Sequence, residues 1–252
     1  LEAEGLLSDG LGLLIIPCAN QFSMNVGRRF WAADNTDINR MFPGYDKGET
    51  TQRIAAAVFE TIKDYHYGLQ MASFYVPGDF IPHVRMLKTG YEAIDEAKLF
   101  GLPYVTIRKP LPFDTTLLNY NWQIWESKAF SVYSGHTDTI DEATAQQTID
   151  AILRFLSRVG AVSKPHTTPS YQSIVLDEEN LITLRSHHAG ILQRLHPVGT
   201  KVEAGQPLAR IIDPLNGSII EEVKSPVSGI IFFSHHRPMI YQNALLYRIV
   251  PA

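Results

Sequence analysis

The sequence predicts an α/β domain with a mostly parallel mixed sheet flanked by helices, followed by a smaller all-β domain. Two patterns indicate this division. Up to residue 164, apolar strand-like runs alternate with amphipathic helices, which is typical of a parallel sheet with helical crossovers. From residue 165, short apolar runs alternate with glycine and proline turns, and no helical periodicity is left. We therefore predict domains at 1–164 and 165–252.

The predicted elements of the first domain begin with the run LGLLIIPCAN, interpreted as a buried strand entering a polar loop. The chain starts at Leu1 in a stretch that resembles the end of a helix, so we expect an N-terminal segment to precede it. The remaining elements are a helix over 49–63 with Thr50 or Thr51 as N-cap, a strand over 67–76, a helix over 91–102, strands over 103–109 and 130–135, and a helix over 141–160.

The composition limits the classes of binding partner and the cellular compartment that we expect for this protein. The chain has 252 residues, 45% of them hydrophobic, and a formal net charge of −4, which gives no basic surface for nucleic acid. No apolar run approaches the roughly 18 residues that cross a bilayer, so no membrane partner is expected. One cysteine, Cys18, excludes an intrachain disulfide and a cysteine-rich zinc site, and it fits a reducing compartment such as the cytoplasm. Homo-oligomerisation stays open.

The C-terminal region contains an internal repeat. The segment Ser186–Ile211 resembles Lys224–Ile249, with Gly190 matching Gly229, which predicts a pseudo-symmetric β structure. The runs EVKSPVSGII and VGTKVEAGQPLARI resemble the biotinyl/lipoyl-type hammerhead fold. Lys224 precedes a proline and lacks the hairpin setting of a modified lysine, so a structural or gating domain is expected instead of a carrier.

The loop TDINRMFPG carries the clearest functional signal. Arg40 can hold a carboxylate through two parallel charge-assisted hydrogen bonds, and Asn39 can add a neutral donor beside it. The alternative is that both side chains only satisfy carbonyl groups of the loop.

This loop resembles the Asp-x-Asn-Arg-x-Phe-Pro-Gly signature of the succinylglutamate desuccinylase/aspartoacylase family, zinc hydrolases with a carboxypeptidase-like α/β fold. Weaker similarities follow in order along nearly the whole chain, including LLIIPCANQFSMNVGRRF and GDFIPHVRM. The resemblance implies a zinc-dependent deacylase of N-acyl amino acids or related small carboxylates. It also implies that Asn39 and Arg40 bind the substrate carboxylate and that Arg29, or else Arg28, assists the polarised carbonyl.

The zinc site of that family is not found in this sequence. No histidine is followed by glutamate three residues later, so the expected His-x-x-Glu pair would lie in the preceding segment. Gln70 stands where the family has its third histidine ligand, and Gly68 stands in place of the nearby aspartate. Tyr133 replaces the glutamate that acts as general base. Neutral amides are poor zinc ligands, and a phenol is a weak base at neutral pH.

Several histidines are candidate substitutes. His83 could replace the missing ligand, and His136 could replace the base, although a lone histidine is more often structural. The pairs His187–His188 and His235–His236 could hold a metal, but adjacent side chains on a strand point to opposite faces, so we interpret them instead as solvated loop histidines. Two hypotheses follow: a zinc amidohydrolase, or a catalytically inactive relative that binds a small carboxylate without zinc chemistry.

Overall fold

A computed structural model describes residues 6–137 and 139–252 of the chain. Five α-helices are described: α1 Gln21–Asn25, α2 Thr50–Ile62, α3 Ile94–Lys98, α4 Leu118–Ile124 and α5 Glu142–Arg158. The strands are β1 Tyr67–Ala72, β2 Gly78–Phe80, β3 His83–Leu87, β4 Tyr104–Arg108, β5 Lys128–Tyr133, β6 Ile174–Asp177, β7 Ile182–Arg185, β8 Gly190–Arg194, β9 Lys201–Val202, β10 Pro207–Ile212, β11 Ile219–Lys224, β12 Gly229–His235, β13 Met239–Ile240 and β14 Leu245–Pro251. Short 3₁₀ turns lie at Ile38–Arg40, Pro112–Thr116 and Glu178–Asn180.

The first sheet is mixed and mostly parallel, as the sequence predicts. Its order is β1-β5-β3-β4-β6, and only the contact between β3 and β5 is antiparallel. In register, Gln70 faces Ser131, Ser131 faces Arg85, and Arg85 faces Thr106. Residues paired across neighbouring strands project from one face, so these four form a polar row on one side of the sheet.

The predicted strand over 11–20 is wrong. Residues 11–16 form no strand, and Ile15 is 69% exposed. A strand needs a neighbour for its backbone N–H and C=O groups, and among the described residues none pairs with this run. The residues just before this run pair with the segment that follows α5: Leu7 forms a β-bridge with Val162, and Ser8 N–H donates a hydrogen bond to Ala161 O.

Helix α2 forms where the periodicity predicts it, but its cap differs from the prediction. Glu49 is the N-cap, and Gln52 completes a capping box with it, so neither Thr50 nor Thr51 caps the helix. The buried face carries Ala55, Phe59 and Ile62. This face packs on Ile38 and Phe42, which fixes the loop that precedes the helix.

Helix α5 confirms the prediction over 141–160. Asp141 caps it through Thr144 N–H, and Arg158 lies in its last turn. Ala151 and Phe155 are fully buried in the core cluster beneath the sheet. Ile149, an apolar residue of the same helix, is half exposed.

The C-terminal strands form two antiparallel sheets, one ordered β11-β10-β8-β13 and the other β2-β12-β14-β7, with β9 paired to β12. The two similar sequence segments exchange strands, because β9 of the first pairs with β12 and β13 of the second pairs with β8. Two strands join the regions on either side of residue 164. β2 pairs with β12, and β6 pairs with β4. The hammerhead description and the boundary at 164 stay predictions.

None of the helices in the described ranges, 6–137 and 139–252, is long and apolar enough to cross a membrane.

Candidate functional site

A cavity of about 350 Å³ opens over the polar row of the first sheet. Its walls come from the loop before α2, from the end of β1, and from β3, β4, β5 and β14. Among the described residues, five arginines line it, against a single carboxylate, that of Asp37. The arginines are Arg29, Arg40, Arg85, Arg108 and Arg248. A concave site with this excess of guanidinium groups is suited to an anion.

Asn39 and Arg40 both line the cavity, in the 3₁₀ turn capped by Asp37. The Oδ1 atom of Asn39 accepts a hydrogen bond from Leu118 N–H at 3.1 Å, so part of this side chain does satisfy the backbone. Its NH₂ group is the end that can donate to a ligand. Nη1 of Arg40 donates to Phe113 O and to Asp114 Oδ1, each at 3.2 Å.

Asp114 is the buried anchor of this end of the cavity. It is fully buried and contacts both Arg40 and Arg108, and its Oδ2 accepts from Leu111 N–H at 2.8 Å. Burial acts to raise the pKa of Asp114, but the Leu111 hydrogen bond and the arginines outweigh it and hold the pKa below its usual value. Two guanidinium groups therefore share one ionised carboxylate, which leaves one net positive charge.

Arg29 also lines the cavity, whereas Arg28 is not part of the wall. The Nε and Nη2 atoms of Arg29 donate to Asp37 Oδ2 at 3.0 and 2.8 Å. This ion pair neutralises Arg29 and holds it beside the turn that carries Asn39 and Arg40. The assignment of Arg29 to a substrate carbonyl stays a prediction.

Gln70 and Tyr133, which the sequence resemblance predicts to stand at the positions of the family's ligand and base, both face the cavity. The Tyr133 hydroxyl accepts a hydrogen bond from Nη1 of Arg85 at 3.0 Å. Gly68 has no room for an aspartate, because a Cβ there would lie 2.7 Å from the ring of Trp122.

These residues do not fit a zinc ion. An amide, a phenol held by a guanidinium and a glycine supply none of the donors that zinc prefers. No group of three histidine, cysteine, aspartate or glutamate side chains suited to a metal occurs in the part of the chain that the structure describes.

His83 lies behind the cavity wall instead of in it. It is fully buried, its Nδ1 is 2.7 Å from Ile81 O, and its ring stacks on Tyr133 with centroids 4.7 Å apart. Burial lowers the pKa of His83 to about 4, so the ring is neutral at ordinary pH. In this position it acts as a packed aromatic residue of the cluster around Phe74 and Phe80.

The other candidate histidines lie outside the cavity wall. His136 pairs with Asp79 at 2.9 Å, and neither residue lines the cavity. His187 and His188 are exposed as predicted, but they do not lie on a strand with side chains on opposite faces. They occupy a turn before β8, and both contact Glu221. His235, by contrast, is buried on β12, so it is not a solvated loop residue.

Sequence reasoning missed a second arginine group in the cavity. Nε and Nη2 of Arg85 lie 2.5 and 2.7 Å from the carboxylate oxygens of Glu178, and Nη1 of Arg248 lies 3.4 Å from it. The available signal was Arg85 itself, an arginine inside the apolar strand HVRML. Its partner Glu178 is 93 residues away along the chain, which no local pattern reveals.

Comparison with known proteins agrees with the resemblance found in the sequence. No protein-family profile matches the chain. An N-alpha-acetyl-L-2,4-diaminobutyric acid deacetylase of Halomonas elongata is 27% identical over 223 residues, which cover 80% of this chain. The chain spans 60% of that relative's length.

Solved structures share the fold. A succinylglutamate desuccinylase/aspartoacylase from Rhodobacter sphaeroides superposes with a TM-score of 0.78 at 16% identity, covering 93% of this chain and 73% of that one. The product-bound ectoine utilization protein EutE (DoeB) from Ruegeria pomeroyi gives 0.79 at 17% identity, covering 94% and 74%. An aspartoacylase family protein from Mesorhizobium loti gives 0.72 at 17% identity, covering 94% and 74%. These matches establish the fold and support the family assignment made from the sequence.

Proposed function

We propose that this protein, which has the fold of the succinylglutamate desuccinylase/aspartoacylase family, binds a small carboxylate of the N-acyl amino acid type in its arginine-lined cavity. Asn39 and Arg40 hold the carboxylate in this proposal. The similarity to a deacetylase of an N-acetylated amino acid supports the ligand class. Binding is preferred to hydrolysis because the cavity offers guanidinium groups and, among the described residues, no group of three side chains that could hold zinc.

The observation that carries the proposal is the group formed by Arg40, Arg108 and Asp114. Asp114 fixes both arginines from behind, so their positions are set before a ligand arrives. Preorganised guanidinium groups lose little conformational entropy on binding a carboxylate. The Phe113 ring lies 5.3 Å from the Arg40 guanidinium and limits its movement further.

The second candidate is a deacylase that cleaves the amide bond of the same ligand. The relative from Halomonas elongata favours it, because that protein is a deacetylase of an N-acetylated amino acid and its similarity covers 80% of this chain. Zinc chemistry would need donors beyond the described residues, and Gln70 and Tyr133 supply none of the expected kind.

Calorimetric titration tests the binding proposal. The full chain is titrated with the monoanion N-acetyl-L-glutamine, and Arg40→Gln is expected to weaken binding at least about tenfold, because it removes a charge-assisted pair. Arg210→Gln, on β10 and paired with Glu222, is the matched control and should bind as the wild type does. Unchanged affinity in Arg40→Gln would contradict the proposal.

Metal analysis and a product assay separate the two candidates. The binding proposal expects neither stoichiometric zinc in the purified chain nor release of free glutamine from the probe when zinc is added. Stoichiometric zinc together with glutamine release would establish the deacylase instead.

A further inference from the structure

We infer that Arg85 and Arg248 form a second, metal-independent anion subsite in the same cavity, so that the ligand carries two acidic groups. The inference rests on the proposed function, because it assigns the second end of the ligand whose first carboxylate meets Asn39 and Arg40. The acidic group assigned to this subsite is a carboxylate.

The geometry repeats that of the first subsite. Glu178 is a nearly buried carboxylate, with 7% of its side chain exposed, and it contacts Arg85 and Arg248 from behind the cavity wall. Both arginines line the cavity, whereas Glu178 does not. The Nε atom of Arg248 is buried and has no hydrogen-bond partner in the described ranges, so this group has an unused donor. Thr106 donates to Glu178 at 3.3 Å and helps to fix it.

Charge counting supports a ligand with two negative groups. Burial acts to raise the pKa of Glu178, but the charges of Arg85 and Arg248 outweigh it and lower the pKa, so the carboxylate stays ionised. Each subsite then holds two guanidinium groups and one carboxylate, a net charge of about +1. Arg29 and Asp37 cancel each other. The cavity wall and its anchors therefore carry about two uncompensated positive charges, which a dianion would balance.

The subsite occupies the side of the cavity where the family resemblance places catalysis. Gln70, Ser131 and Arg85 lie in register on β1, β5 and β3, so about 10 Å separates the backbones of Gln70 and Arg85. Arg85 also donates a hydrogen bond to the hydroxyl of Tyr133, the residue at the position of the expected base. Guanidinium groups thus provide the positive charge at this side of the cavity, which explains why the second subsite needs no metal.

Matched ligand pairs test the inference. N-acetyl-L-glutamate and N-acetyl-L-glutamine have nearly the same shape and differ by one negative charge, and the aspartate and asparagine pair covers a shorter spacing. Calorimetry in the presence of EDTA is expected to show at least one dianion binding about tenfold or more tightly than its amide. Arg248→Gln should bring that ratio close to one, and Arg210→Gln should keep the ratio.

Three results would overturn the inference. In the first, the wild type binds the acid and the amide of both ligand pairs with equal affinity. In the second, Arg248→Gln still binds the dianion more tightly than the amide. In the third, the wild type prefers the dianion without EDTA but not with it. Arg248→Lys serves as a second variant if Arg248→Gln does not fold, and it should retain part of the ratio. Failure of the proposed function looks different, because then the amide probes do not bind, or Arg40→Gln binds them as the wild type does.

Discussion

Asp114 and Glu178 show how single residues build this site. Both are buried carboxylates, and each holds two arginines that reach the cavity. A buried charge without a partner is costly, and the arginines satisfy it. Neither carboxylate lines the cavity, so the arginines are held in place by residues behind its wall.

His83 allows a prediction about pH. Folded His83 takes up a proton only near pH 4, whereas the unfolded chain does so near pH 6.5, so the unfolded state binds more protons between these values. Stability is therefore lost as the pH falls from about 6.5 to 4. The loss attributable to His83 is on the order of 3 kcal/mol, at 1.36 kcal/mol per pKa unit.

Urea unfolding of His83→Phe over this pH range measures the effect. The variant keeps an aromatic ring against Tyr133 and is expected to lose about 3 kcal/mol less than the wild type between pH 6.5 and 4. His66→Phe, at an exposed position, is the control and should follow the wild type. Identical pH dependence in His83→Phe and the wild type would contradict the assignment.

At the scale of elements, the loop with Asn39 and Arg40 is held by the helix that follows it. Gly44 has φ +95° and lies against α2, so that a Cβ there would collide with the backbone N and Cα atoms of Ala56. Backbone atoms of a helix cannot move aside as a flexible side chain can. Two features therefore require glycine at the end of the NRMFPG run: the close contact with α2 and the positive φ angle.

Gly44→Ala is therefore predicted to be more harmful than other glycine substitutions. Gly160→Ala is the matched control, since Gly160 has φ +79° and a methyl group added there would meet no atom within 4 Å, so only strain of about 1–2 kcal/mol applies. Gly44→Ala adds an overpacking cost of about 1–3 kcal/mol or more and displaces Arg40. Chemical denaturation should rank the two variants in this order, and titration with N-acetyl-L-glutamine should show weaker binding for Gly44→Ala only. Equal stability of the two variants would disprove the packing argument.

At the scale of the whole molecule, the two regions are connected through strands and through the site. β2 joins the C-terminal sheet, β6 joins the first sheet, and Arg248 of β14 completes the cavity. We propose from these connections that the chain unfolds as one cooperative unit, even though its sequence divides near residue 164.

A core substitution in the C-terminal region tests this coupling. All three tryptophans, Trp31, Trp122 and Trp125, precede residue 164, so their fluorescence reports on the α/β region alone. Ile231→Ala removes a fully buried side chain of β12 and should destabilise by about 2–5 kcal/mol. The tryptophan transition and the circular dichroism transition are expected to shift together. Ile219→Ala, at an exposed site, should shift neither, and an unmoved tryptophan transition in Ile231→Ala would show independent unfolding.

Local periodicity and short motifs are enough to predict part of this protein. Helices α2 and α5, strands β1, β4 and β5 and the Asn39–Arg40 loop follow from residues close together in the chain, whereas β3 and β6 are not among the predicted elements. The family resemblance comes from the same short runs. The predicted strand over 11–20 rests on an equally local pattern and is wrong, because a strand also needs a neighbour that the run cannot specify.

Which charges meet depends on the folded chain alone. Glu178 reaches Arg85 across 93 residues and Arg248 across 70, and Asp114 reaches Arg40 across 74. These contacts turn scattered arginines into two groups around one cavity, and the packing of Trp122 shows why Gly68 cannot be an aspartate. The physical reason is that electrostatic pairing and steric exclusion depend on distance in space, whereas sequence patterns record distance along the chain.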